Sequence, residues 1–300
     1  MNFKKEARLL KQRIITAVIL APIAIAAIFF LSLPWLAAAL LFVMAIGAWE
    51  WGPLMGFDNK RRRIAFVLGI SAAIVALWMV LPPEQIWLQS ADSEDTLNPI
   101  AIWVLSIASI WWLFTIVLIF NYPNFSDFWA KHRSVRGLFG LFILVPTWLA
   151  FLVLRSADIN VDEFHGTRLL LLLFMLVWSA DIGAYFAGKR FGKRKLMPNV
   201  SPGKTLEGFF GGNVSAAIAM VIMGLIFDWQ SQQIIMAVVL ALLISTVSVL
   251  GDLTESMLKR QAGVKDSGSI LPGHGGVLDR IDSLTATAPV FALCYVMFGW

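Results

Sequence analysis

Apolar runs of about twenty residues recur along the whole of this 300-residue sequence. Each is long enough to cross a hydrocarbon layer about 30 Å thick as a helix. The runs are continuously apolar and lack the period-two alternation of barrel strands, so helices are the spanning elements that satisfy the backbone. Nine spans are expected, near 14–33, 35–51, 64–82, 99–121, 137–155, 167–187, 209–227, 234–257 and 284–300. The predicted fold class is an all-α polytopic membrane protein. Composition agrees: 59% of residues are hydrophobic, with 13 Trp and 22 Phe, whereas soluble domains are about half apolar. The start, "MNFKKEARLLKQR" before an apolar run, has the form of a signal peptide. However, that run is long and a second follows at once after Leu33-Pro34, so it reads as an uncleaved first span.

Charge sets the orientation. With a cytoplasmic N-terminus, the inside segments are 1–13, 52–63, 122–136, 188–208 and 258–283. They hold 22 of the 24 Lys and Arg, and only Arg155 and Arg168 fall outside. The positive-inside rule then predicts a cytoplasmic N-terminus and an outside C-terminus, in the cell's inner or plasma membrane. The outside loops 83–98 and 156–166 are acidic and read as solvated connectors. "NKRRR" at 59–63 reads as an anchor near anionic headgroups. Basic residues scattered over five short loops give no support to nucleic-acid binding. Cys294 is the sole cysteine, which excludes an intramolecular disulfide and a Cys-based metal cluster.

Polar character divides the chain. Residues 1–165 read as transmembrane scaffold and 166–300 as a catalytic region. In the second part the loops 188–208 and 258–283 are long and rich in Gly, Pro, Ser, Lys and Asp. The spans entering them carry acids: Asp181, and Asp252 with Glu255 in "VLGDLTESMLKR". Acids within a span are costly and usually face a cavity or a partner.

"KDSGSILPGHGGVLDRID", 265–282, cannot be regular helix through its Pro and Gly residues. From Val277 on the sequence is helix-compatible, so the glycines sit before a helix N-terminus, where free amides attract an anion such as phosphate. Asp279 and Asp282 are three apart and share one face of the first turns. The plain alternative is a glycine turn with acids that complement the helix dipole. It leaves unexplained why Lys259, Arg260, Lys265, Asp266, His274 and Arg280 crowd the same loop.

The other loop contains "MPNVSPGKTLEG", 197–208. It is not a Walker A loop, because position 198, five before Gly203, is Pro. Ser201, Lys204 and Thr205 still offer hydroxyls and an ammonium to phosphate oxygens. The small residues of "GAYFAGKRFG" serve either a site or close helix packing. Carboxylates able to hold a metal (Asp252, Asp279, Asp282 and Asp181), together with cations and glycine-rich backbone, suit magnesium-assisted phosphoryl or nucleotidyl transfer.

"SMLKRQAGVKDSGSILPGHGGVLDRID", 256–282, resembles the signature of the phosphatidate cytidylyltransferases, or CDP-diacylglycerol synthases. It matches at Ser256, Lys259, Arg260, Lys265, Asp266, Pro272, His274, Gly275, Gly276, Asp279, Arg280 and Asp282. "DIGAYFAGKRFGK" and "SPGKTLEG" are similar to further family blocks, so the resemblance covers about 175–300. It implies the reaction of CTP with phosphatidate to give CDP-diacylglycerol and pyrophosphate, with magnesium and room for a second cation. It also implies that Asp252 and Asp279 are metal ligands. From the residues themselves, Asp282 is a further candidate ligand and Lys265 a cation facing the phosphates. Ser201, Lys204, Thr205, Lys259, Arg260, His274, Gly275, Gly276 and Arg280 are the expected substrate contacts. A homodimer with a cavity open to the cytoplasm is implied as well.

Three other classes compete. A CTP-using polyprenol kinase would phosphorylate a lipid alcohol, against the full signature. An ion-coupled transporter would use Asp181 and Asp252 but leave both polar loops unexplained. A CDP-alcohol phosphotransferase needs aspartates spaced D-x3-D, and the spacing here is D-x2-D.

Overall fold

The computed structural model describes residues 3–88 and 96–299, with the backbone alone at 3–15 and 17. Its helices in chain order are α1 (Phe3–Phe30), α2 (Leu33–Leu54), α3 (Lys60–Val80), α4 (Pro99–Phe120), the short α5 (Asp127–Ala130), α6 (Arg133–Ser156), α7 (His165–Phe191), α8 (Leu206–Ile226), α9 (Ser231–Ala262) and α10 (Leu278–Phe298). Among the described residues, eight of these, α2–α4 and α6–α10, are long and apolar enough to cross a membrane. They coincide with eight of the nine expected spans. The described apolar part of α1, Val18–Phe30, is shorter. The fold is helical and polytopic, with two short antiparallel pairs, β1 (Trp87–Leu88) with β2 (Thr96–Leu97) and β3 (Lys195–Met197) with β4 (Ser201–Thr205).

Local signals place the helix ends. Asn59 and Asn98 accept the amides of Arg61 and Ile100 and so cap α3 and α4. Gly263, at φ +71°, ends α9 in the left-handed conformation. This corrects the loop expected at 258–283: α9 continues past its apolar run to Ala262 and α10 begins at Leu278, so the connection is 263–277. Backbone hydrogen bonding does not stop where the apolar pattern stops. Likewise α7 runs to Phe191, and most of the expected 188–208 loop is the β3–β4 hairpin.

Helices from both ends of the chain form one body, with α10 packed against α9, α6 and α4. Buried polar side chains join them through backbone carbonyls. Trp148 Nε1 donates to Ala37 O at 2.9 Å, Arg155 Nε to Ile28 O at 2.9 Å, and Thr147 Oγ1 to Thr285 O at 3.1 Å. The α7–α8 contact is the most extensive. Methyl groups at Gly183 and Gly211 would overlap Ser215 and Ala187, so these small residues serve close packing.

The connectors expected to be plain are partly structured. Tyr295 donates to Asp158 at 2.9 Å and lies 3.0 Å from His165 Nε2, while Arg168 pairs with Asp162. In the 83–98 segment Trp87 stacks edge-on against Tyr295, and residues 89–95 lie outside the described residues. So do the side chains of the basic cluster at 4–13.

Candidate active site

The polar ends of α7, α9 and α10, the β3–β4 hairpin and the 263–277 loop meet at one place. Thr205 begins the assembly as the N-cap of α8, its Oγ1 accepting the Gly208 amide at 3.1 Å. That fixes the hairpin and sets Lys204, the residue before, with its Nζ 2.7 Å from Asp252 Oδ2. The same α9 stretch presents Ser256 Oγ to Asp252 Oδ1 at 3.2 Å. One turn further, Glu255 and Lys259 form an i,i+4 pair at 3.1 Å. Arg260 Nε donates to Val200 O at 3.2 Å and ties the hairpin to α9.

Lys259 reaches across to α10, with Nζ 2.6 Å from Asp279 Oδ1. Asp279 also accepts the Ser267 amide at 2.9 Å, Ser267 Oγ at 2.9 Å and the Gly276 amide at 2.8 Å, all at Oδ2. Its side chain is only 5% exposed, so this carboxylate folds the 263–277 loop back over itself. Leu271 donates to Gly275 O at 2.9 Å and His274 to Leu271 O at 3.0 Å, closing the Pro-Gly-His-Gly turn. Gly273 and Gly275 stand at φ +77° and +85°, where a side chain would be strained.

The reading of these glycines as a phosphate cradle meets occupied amides at the start of α10. The Gly276 amide is taken by Asp279, and the Leu278 amide is taken by Glu50 Oε2 at 2.8 Å. The start of α10 does attract anions, but the anions are the protein's own carboxylates. Glu50 lies in α2 and was not singled out by the sequence reading. Its signal was an acid inside an apolar span, which the division into scaffold and catalytic halves passed over.

Two cavities flank Asp181 and Asp252. One, of about 280 Å³, is lined by those two acids with Asp279, Asp282, Lys259 and Arg280. The other, of about 480 Å³, is more apolar and lies between α7, α8, α9 and the hairpin, with Lys204, Asn213 and Tyr185 in its wall. Of the expected substrate contacts, the first cavity takes Lys259 and Arg280, and the second takes Lys204 and Thr205. Ser201, Arg260, Lys265, His274, Gly275 and Gly276 line neither, although Asp266, next to the exposed Lys265, lines the first.

The donor set suits a hard cation. Asp181, Asp252 and Asp282 offer carboxylate oxygens to one cavity. Among the described residues no three acids, His or Cys stand close enough to cage an ion. Magnesium at a nucleotide needs only one or two carboxylates, with phosphates and water completing its shell. Asp279 is different, because its acceptor positions are already filled by Lys259, Ser267 and Gly276.

The profile of the cytidylyltransferase family matches residues 11–298. The chain is 41% identical to the phosphatidate cytidylyltransferase of Pseudomonas aeruginosa, covering 97% of this chain and 99% of that one. It is 38% identical to the protein of the same name from Haemophilus influenzae, over 96% and 99%. For the one from Bacillus subtilis the identity is 33%, over 97% and 99%.

Proposed function

Because the chain belongs to the cytidylyltransferase family, we propose that it transfers CMP from CTP to phosphatidate, giving CDP-diacylglycerol and pyrophosphate for phospholipid synthesis. The observation that carries the reading is the pair of cavities with a common wall at Asp181 and Asp252. A polar cavity beside a more apolar one suits a nucleotide and a lipid phosphate that must meet at one point.

In the reaction a phosphate oxygen of phosphatidate attacks the α-phosphorus of CTP. The bond from that phosphorus to the oxygen bridging the β-phosphate breaks, and pyrophosphate leaves with the electron pair. Both reactants are anions, so cations must offset their repulsion and the charge that grows on the leaving group. Lys204, which lines the second cavity and pairs with Asp252, and Arg280, which lines the first, are placed for this. Lys259 is held between Glu255 and Asp279 and keeps the loop in place. Asp252 and Asp282 would hold magnesium, with Asp181 beside them, and Asp279 becomes a ligand only if Lys259 yields Oδ1. A bound magnesium would supply positive charge against the charge that develops on the phosphates. Ser201, Arg260, Lys265, His274 and Gly275 keep a substrate-binding role through the resemblance alone.

The same proposal places the cavities at the cytoplasmic face of the inner membrane. Its support is that 22 of 24 basic residues fall on one side. The homodimer is carried by the resemblance. A CTP-dependent lipid kinase would release CDP. Purified protein with CTP and magnesium should therefore release pyrophosphate, and only when phosphatidate is added. Release of CDP, or release that ignores phosphatidate, would overturn the proposal.

A further inference from the structure

Glu50 is the single acid of α2 and is 1% exposed. A carboxylate this deep in a membrane protein is costly unless its oxygens are satisfied. Oε2 accepts the Leu278 amide at 2.8 Å, while Oε1 is buried with no hydrogen-bond partner among the described residues. The Leu278 amide is one of the free N–H groups at the start of α10, where the helix dipole favours negative charge. Val277 supplies no side-chain cap of its own. A residue 228 positions earlier in the chain therefore caps α10.

The glycines of the loop are fitted to this carboxylate. A methyl group at Gly268 would overlap Glu50, and the three nearest atoms it would meet are all Glu50's. At Gly276 a methyl group would overlap both Ser267 and Glu50. The same stretch of backbone also holds Asp279, to which Ser267 and Gly276 donate. The strands of the loop at 267–268 and 276–278 are thus clamped between Glu50 and Asp279. Asp266, Asp279, Arg280 and Asp282, which line the polar cavity, all sit on or next to the clamped backbone.

We propose that Glu50 is a positioning residue for CMP transfer, a strap from α2 that fixes the 263–277 loop and the first turn of α10 against the polar cavity. Glu50 lines neither cavity, so it acts through Ser267, Gly276 and Asp279 and not on substrate. The proposal rests on the cytidylyltransferase reading for its rate measurement, but not for its structural one.

The test uses the full-length protein in detergent or nanodiscs, with Glu50→Ala, Glu50→Gln, Gly268→Ala and the double variant Glu50→Ala/Gly268→Ala. Misplacing reacting groups by about 1 Å costs on the order of 100-fold in rate. Glu50→Ala should therefore lower kcat by about 100-fold while leaving the KM for CTP near the parent value. Glu50→Gln, which keeps an acceptor for the Leu278 amide, should recover part of that loss. Gly268→Ala should also lower kcat, yet add little in the Glu50→Ala background, because the three nearest atoms its methyl group would meet all belong to the missing side chain. Hydrogen exchange should show the amides of 265–278 opening in Glu50→Ala while those of α9 stay protected. Parental kcat and exchange in Glu50→Ala would overturn the proposal. So would exchange raised equally through α2, α6 and α10, which is the mark of a lost fold. A parent that makes no CDP-lipid would fail the functional reading, and the exchange result would still decide the strap.

Discussion

The ammonium of Lys204 stands 2.7 Å from Asp252 Oδ2, an ion pair that joins the β3–β4 hairpin to α9 in the wall between the two cavities. The side chains are 26% and 35% exposed, and a pair so accessible is worth at most about 1 kcal/mol to stability. Its importance lies in where it holds a positive charge. Lys204→Ala should lower kcat/KM for CTP by about 100-fold, as for loss of one preorganised electrostatic contact, with no change in thermal midpoint. Steady-state kinetics and a melting curve check both halves. Unchanged kinetics would return the hairpin to the role of a plain turn.

The acids of the polar cavity separate into two roles. Asp252→Asn should lower turnover by about a thousandfold, since a metal ligand is worth several kcal/mol at the transition state, and excess magnesium should recover part of it. Asp279→Asn should lose activity at every magnesium concentration, because Asp279 holds Lys259, Ser267 and Gly276. Chelating divalent cations should stop the parent enzyme. Rate measured against magnesium concentration distinguishes the two variants, and equal recovery of both would contradict the division.

Lys259 sits between two carboxylates, with side chains 12% exposed for the lysine and 5% for each acid. Removing one partner of a buried ion pair leaves uncompensated charge and costs about 3–5 kcal/mol. Lys259→Met should therefore melt at a clearly lower temperature than the parent, and Glu255→Gln in the same chain should restore part of the loss. A Lys259→Met protein as stable as the parent would show that the triad carries no structural weight.

Orientation is open to a labelling experiment. Ser201, in the hairpin, and Glu163, between α6 and α7, lie at opposite ends of α7. Single cysteines at the two positions, in a background without Cys294, should react with impermeant reagent from opposite sides of the membrane. Reaction of both from one side would overturn the topology.

The spans were legible because an apolar run of membrane length has few other uses, and the match of α4 to 99–121 is within a residue at each end. The polar loops betrayed the site because Gly, Pro and charge have no reason to gather between spans otherwise. What stayed hidden depended on pairing across the chain. The Gly276 amide reads as free for phosphate until Asp279 is seen to take it, and Glu50 reads as scaffold until it is found on Leu278. Nor does the sequence reveal that Lys259 is spoken for by Glu255 and Asp279, since helix α9 continues past its apolar pattern.

The measurement that bears most directly on the central claim follows the label. Purified protein and its Asp252→Asn variant would each be given phosphatidate, magnesium and CTP labelled either at the α- or at the γ-phosphate, and the lipid then extracted. The account predicts that the α-label enters the lipid phase as a CDP-lipid, that the γ-label stays in water as pyrophosphate, and that Asp252→Asn transfers almost none. Appearance of the γ-label in the lipid, or equal transfer by Asp252→Asn, would contradict it.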